Sequence, residues 1–176
     1  MVANDRLSLR YTLCFLTRSD QVLMLHRRFP PNQGLWNGVG GHIEPGEDPH
    51  SSVLREIREE TGFRVEAAHF GGILTWQGFE VSPGGLYLFH AAAPPGAPGE
   101  CSEGELAWRP LDWVLTSNEV VSNIALFLPA LLQRQVPQEY HFDYEGGAIC
   151  AHAVHPLPPG IIPFGELPSG INPAWA

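Results

Sequence analysis

Apolar residues along the chain fall into short runs separated by glycine, proline and small polar residues, a pattern that predicts short elements joined by turns. Leu9 to Leu16 is apolar and rich in strand-forming residues, and it predicts a strand. Ser19-Asp20 marks a turn, and Gln21 to His26 predicts the hairpin partner. After Arg27, Arg28 and a Pro/Asn/Gln/Gly loop, Trp36 to Gly41 (WNGVGG) predicts a tight loop or a very short strand. The best-bounded element is a helix of roughly three turns, PHSSVLREIREET. Asp48 suits its N-cap, Pro49 its first helical position and Gly62 the residue just beyond its end. Val53, Leu54 and Ile57 predict its buried stripe.

Strands are expected again over Phe63 to Ala67, Phe70 to Gln77 and Leu86 to Ala92, then a surface loop from Ala93 to Gly99 and a strand over Trp108 to Leu111. Asn123 to Gln135 predicts a second helix, with Pro129 as an irregularity. Glu139 to His155 predicts a final hairpin turning at Glu145-Gly146-Gly147. The order predicts an α+β protein with one domain over residues 1–155 and an extended Pro/Gly-rich tail over 156–176. A length of 176 residues suits one sizeable core.

A net charge of −9 disfavours long nucleic acids, whose phosphates bind through many Lys and Arg contacts. It leaves room for a short polyphosphate, provided a divalent cation lies between the like charges. No segment has the roughly 20 apolar residues of a membrane span. Cys14, Cys101 and Cys150 are odd in number and widely spaced, which fits a reducing cytoplasm better than a disulfide framework. Cys150, His152 and His155 match zinc spacing only loosely and read better as solvated positions on an edge strand.

Glu56, Glu59 and Glu60 fall at i, i+3 and i+4 and share one helix face, with Glu47 just ahead of the helix. Like charges at this spacing oppose helix formation by roughly 0.2–0.5 kcal/mol per pair, and the helix dipole disfavours anions near the C-terminal end. Two readings compete for this face. One is a solvated surface softened by Arg55 and Arg58. The other is a hard-cation site, since Mg²⁺ takes carboxylate and carbonyl oxygens and holds substrate phosphates.

Gly41 to Phe63, GHIEPGEDPHSSVLREIREETGF, resembles the Nudix box. Gly41, Glu47, Arg55, Glu56, Ile57, Glu59, Glu60, Gly62 and Phe63 meet all of its fixed positions. The resemblance implies an α/β/α sandwich, a mixed sheet between helices in which the box forms a loop–helix–loop, and Mg²⁺-dependent hydrolysis (Mn²⁺ an alternative) of a pyrophosphate bond in a small nucleotide. It implies Glu59 and Glu60 as core metal ligands, Glu56 as a further ligand or base, the Gly40 carbonyl as a backbone ligand, and Arg55 as the group that orients a glutamate. A later loop of the family adds one acidic residue, here Glu103, with Glu105 as the alternative.

The segments around Tyr11-Thr12-Leu13, Leu35 to Gly41, Glu103 to Trp108 and His141 to Gly147 are similar to the MutT-type branch, in particular to enzymes that hydrolyse oxidised purine nucleoside triphosphates such as 8-oxo-dGTP. That similarity points to Thr12, Asn37 and Asn123 as substrate-binding residues, although Asn123 also suits a helix N-cap. Arg28 or Arg27 is the candidate clamp for the triphosphate, and Trp36, Phe29 and Trp76 are candidate stacking surfaces. Two positions depart from the branch. His42 stands where Lys is common, and Ser122-Asn123-Ile124 replaces an acidic pair. Gln77-Gly78-Phe79 lacks the proline typical of ADP-ribose hydrolases. The expected product pair is a nucleoside monophosphate and pyrophosphate, with a dinucleoside polyphosphate or nucleotide sugar as the alternative substrate and a non-catalytic nucleotide-binding module as the third reading. A monomer or a homodimer is expected.

Overall fold

The structure, a computed structural model, describes residues 9–80 and 83–164. Eight strands form one mixed sheet: β1 (Leu9–Arg18), β2 (Gln21–Arg27), β3 (Trp36–Asn37), β4 (His69–Gln77), β5 (Gly84–Ala92), β6 (Gly104–Pro110), β7 (Gln138–Glu145) and β8 (Ala148–Pro156). The order is β3-β2-β1-β5-β4-β7-β8, and β6 also pairs with β2. The β1–β5 and β4–β7 pairs are parallel, and the other pairs are antiparallel. Three helices complete the chain: α1 (Pro49–Thr61), α2 (Leu111–Thr116) and α3 (Ile124–Leu132).

Successive side chains on a strand point to opposite faces, so a strand covered on both faces is apolar throughout. β1 shows this directly. Cys14 and Leu16 join Val53 and Ile57 of α1 in one core, while Leu13 and Phe15 join Val114 of α2 and Ile124, Phe127 and Leu128 of α3 in the other. The sheet therefore lies between helices, the layered arrangement expected from the sequence.

The boundaries of α1 follow from its caps. The Asp48 carboxylate accepts from the Ser51 amide at 2.9 Å, and Gly62 takes the left-handed conformation, φ 74°, while its amide donates to the Arg58 carbonyl. Leu54 is only half-buried. The buried face is Ser52, Val53, Ile57, Glu60 and Thr61, so it includes one carboxylate.

Several expectations are corrected. Residues 63–67 are irregular, because both edges of the neighbouring β4 are already paired, with β5 and β7, and an extended segment without a partner has no ladder to join. β6 begins at Gly104 rather than Trp108, pairing with β2 from Arg27↔Gly104 to Gln21↔Pro110, and the short α2 follows it at once. α3 spans Ile124–Leu132, less than the run of apolar residues, and carries Pro129 inside it. The Asn123 side chain makes no capping bond. Beyond β8, Leu157 and Ile161 pack against the α1 core and the His50 amide donates to the Pro163 carbonyl at 2.8 Å. Residues 165–176 of the tail lie outside the described residues. Cys150, His152 and His155 all lie exposed on β8.

Candidate active site

The loop after β3 is tied to β1. The Thr12 amide donates to the Gly41 carbonyl at 2.9 Å, and Cys14 and Val39 exchange backbone bonds of 2.7 and 3.0 Å. Gly40 has φ 150°, and a methyl group built there would overlap the Thr12 carbonyl oxygen. A methyl on Gly41 would sit 2.6 Å from Glu56 Oε1. Only glycine lets this backbone lie flat against both the strand and the helix carboxylates.

The Gly40 amide donates to Glu60 Oε2 at 2.8 Å, joining loop to helix. Glu60 is 7% exposed, and burial pushes its carboxyl up to about 7 against the opposing effect of the Gly40 amide, with Glu56 and Glu103 adding to the rise. Glu56 is raised by burial too, with Arg55 opposing. Arg55 binds three carboxylates and a carbonyl at once. Its Nε and Nη2 donate to the two oxygens of Glu47, both at 2.9 Å, its Nη1 donates to Glu56 at 2.8 Å and to Glu59 at 3.1 Å, and Nη2 also reaches the His42 carbonyl at 3.0 Å. Arg55 holds Glu47 below the usual carboxylate range.

Most of these groups, though neither Arg55 nor Glu47, line one cleft of about 590 Å³. Glu56, Glu59, Glu60, Glu103, Gly40, Gly41 and Arg27 form part of its wall. Thr12, Asn37, Asn123, Trp76, Tyr11, Phe79, Leu86 and Tyr144 form another part. The structure thus brings most of the expected residues together. Glu103 lines the cleft and Glu105 does not. Arg27 lines it and Arg28 does not: the Arg28 guanidinium is exposed and reaches only the Ser102 carbonyl, at 3.5 Å. Trp36 is buried away from the cleft between His26, Trp113 and the Arg109 guanidinium, and Phe29 is exposed outside it. Tyr11, Phe79, Leu86 and Tyr144 were not anticipated as lining residues. Tyr144 falls within the segment similar to the MutT branch, but its side chain reaches the cleft only through the β4–β7 register.

Asn123 is 8% exposed, and its amide donates to the Tyr144 hydroxyl at 3.0 Å, so it is held as part of the wall. Asn37 accepts from the Gly38 amide at 2.8 Å. The Thr12 hydroxyl is buried without a partner among the described residues.

The donor set suits a hard divalent cation: its oxygens outnumber the one thiol and one imidazole that also line the cleft, with more negative charge than Arg55 and Arg27 balance and one carboxylate buried against a single backbone amide. Among the described residues no three His, Cys, Asp or Glu already converge in ligating geometry. Arg55 and the Gly40 amide hold the carboxylates.

The NUDIX domain family model matches residues 8–131. The chain belongs to that family, and it spans less than two thirds of the length of the first curated relatives it matches. Nudix hydrolases use divalent metal ions and act on small nucleotide substrates. It is 36% identical over 122 residues to the CMP-5'-(N-acetyl-N-hydroxy-3-aminopropyl)phosphonate hydrolase of Streptomyces rubellomurinus, covering 64% of this chain but only 58% of that enzyme. It is 29% identical over 127 residues to the oxidized purine nucleoside triphosphate hydrolase of Mus musculus, covering 71% of this chain and 80% of that one. The MutT protein of Bacillus halodurans superposes with a TM-score of 0.70 at 29% identity, over 85% of this chain and 99% of the other.

Proposed function

We propose that this chain hydrolyses a nucleoside triphosphate, with a purine or oxidised purine base, to the monophosphate and pyrophosphate in the presence of Mg²⁺, with Mn²⁺ able to substitute. The observation that carries this reading is a single cleft lined both by carboxylates and by aromatic rings and side-chain amides. A nucleotide has the same division, with phosphates that need cations at one end and a flat base that needs stacking and edge recognition at the other. The likeness to the mouse enzyme, named for oxidized purine nucleoside triphosphates, supports it.

Glu56, Glu59, Glu60 and Glu103, with the Gly40 carbonyl, would hold the ion. When bound, it supplies polarisation of the phosphoryl oxygens and offsets their charge. Arg55 acts as a positioning residue for Glu56 and Glu59, as its 2.8 and 3.1 Å bonds to them favour. A helix glutamate accepts the proton of the attacking water, in line with the leaving pyrophosphate. Arg27, rather than Arg28, faces the phosphates. Thr12, Asn37 and Asn123 read the base, and Trp76 and Tyr11, 6.4 Å apart, provide the stacking surface. The three free thiols favour a reducing compartment such as the cytoplasm.

A second reading, hydrolysis of another nucleoside diphosphate derivative, is favoured by the Streptomyces relative, whose name records a CMP-linked phosphonate. A chromatographic screen of nucleoside triphosphates, oxidised purine nucleotides, dinucleoside polyphosphates, nucleotide sugars and CMP esters with Mg²⁺ separates the two. Turnover of purine triphosphates above the other classes, lost by roughly 10²-fold or more in Glu59→Gln, is the expected result. Preference for a CMP ester would replace the first reading by the second.

A further inference from the structure

A second concavity lies at the far ends of the strands that line the cleft. Leu74 and Trp76 of β4 and Leu86 of β5 face the cleft, whereas His69 and His90, at the opposite ends of the same strands, border a hollow of about 530 Å³. Five residues of strand separate His69 from Leu74, roughly 16 Å at 3.3 Å per residue. His69 and His90 are direct cross-strand partners.

Each ring presents an unmet polar atom. His90 is 8% exposed, its Nε2 lies 2.9 Å from the Thr17 hydroxyl, and its Nδ1 is buried without a partner among the described residues. The same holds for Nε2 of His69. A buried polar atom left without a partner costs about 1–3 kcal/mol, so two on neighbouring rings call for an explanation. A neutral imidazole holds its proton on either nitrogen, so His90 Nδ1 is able to donate while Thr17 donates to Nε2. The charged residues around the rings are Arg64 and Arg134, both exposed, against one acid, Glu66. The chain has ten basic residues, all arginine, and two of them border this hollow. Arg134 stands just beyond α3 in the left-handed conformation, φ 53°, and its amide donates to the Leu131 carbonyl.

We infer that His69, His90, Arg64 and Arg134 form a binding site for a tetrahedral oxyanion, separate from the catalytic cleft. The two guanidinium groups bind its oxygens and offset its charge, and the two rings, whose unmet nitrogens are enclosed, border it. The ligand is either a free inorganic oxyanion or the phosphate of an ester. An anion there also reverses the electrostatics of the rings, which burial and the charge of Arg134 now hold below the ordinary histidine range. Glu66 is the only group in the lining that opposes binding.

Ring-proton NMR of the eight histidines in the whole chain tests this, with chelator present and ionic strength held constant. Sulfate serves as the free oxyanion, AMP as the ester and chloride as the control. Sulfate or AMP should raise the titration midpoints of His69 and His90 by about one pH unit relative to chloride, leaving the others unmoved except His42, which lines the catalytic cleft that AMP also enters. The rise should vanish in Arg134→Gln, whose side chain is exposed and whose fold circular dichroism verifies. A rise with sulfate assigns a free anion, and a rise with AMP alone assigns an ester. Midpoints equal in all three salts, or a rise undiminished in Arg134→Gln, would overturn the site.

Discussion

Replacing Arg55 by Gln probes what holds the acidic helix together when no cation is bound. Arg55 and Glu47 form two parallel bonds of 2.9 Å, with side chains only 23% and 16% exposed. A charge-assisted bond contributes about 1.5–3 kcal/mol, and a fully buried pair that loses one partner costs about 3–5 kcal/mol. Access of water to a quarter of the guanidinium lowers that. The exposed Glu59 partner adds at most about 0.5 kcal/mol. The expected loss is about 2–4 kcal/mol, because Glu47 and Glu56 are left facing each other without a counter-charge. Urea unfolding at pH 7.5 in chelator measures it, with Glu47→Gln and the double variant completing a cycle. Once Arg55 is gone Glu47 has little left to lose, so the double variant should be no less stable than Arg55→Gln, giving a coupling of about 1–3 kcal/mol. Single effects that add to within about 0.5 kcal/mol would refute the reasoning, since independent groups behave that way.

Three further outcomes follow from the geometry. His90, lowered by burial to about 4 from an ordinary 6.5, resists protonation only while folded. Its contribution to stability is therefore complete above 6.5 and lost as pH falls from 6.5 towards 4, roughly 3 kcal/mol in all, and His90→Asn should flatten that part of a melting-temperature profile. Gly40→Ala forces a methyl into the Thr12 carbonyl at a φ that side chains avoid. It should cost about 2 kcal/mol or more in urea and remove most turnover, whereas Gly46→Ala, which meets no neighbour but has φ 82°, should cost only about 1 kcal/mol. Deleting residues 157–176 removes the packing of Leu157 and Ile161 on the α1 core and the Pro163 bond to His50. The urea midpoint should fall by the equivalent of about 2–4 kcal/mol.

Local signals were readable and long-range ones were not. The helix α1 could be bounded to the residue because Asp48, Pro49 and Gly62 act on their own neighbours. The carboxylate face followed from helical spacing alone. By contrast, Arg27 and Arg28 are equivalent in sequence, and only the end of β2 at Arg27 and the loop beyond it decide which one borders the cleft. Glu103 and Glu105 are separated by the register of β6 on β2, which pairs Glu105 with His26 and leaves Glu103 in the preceding loop. The alternation in 63–67 is a genuine strand pattern, but the strand that follows it, β4, is already paired on both sides. Tyr144 reaches Asn123 across 21 positions through parallel pairing, which carries no local mark.

The parallel pairing of β1 with β5 and of β4 with β7 has a consequence for how the protein is made. During synthesis the acidic helix emerges early, yet β1 gains its parallel neighbour only after residue 92 has left the ribosome, and Tyr144 arrives some fifty residues later still. Contacts between such distant parts of a chain form slowly. A nascent chain therefore carries the helix carboxylates before the aromatic part of the cleft can form, so the cleft is completed only near the end of synthesis.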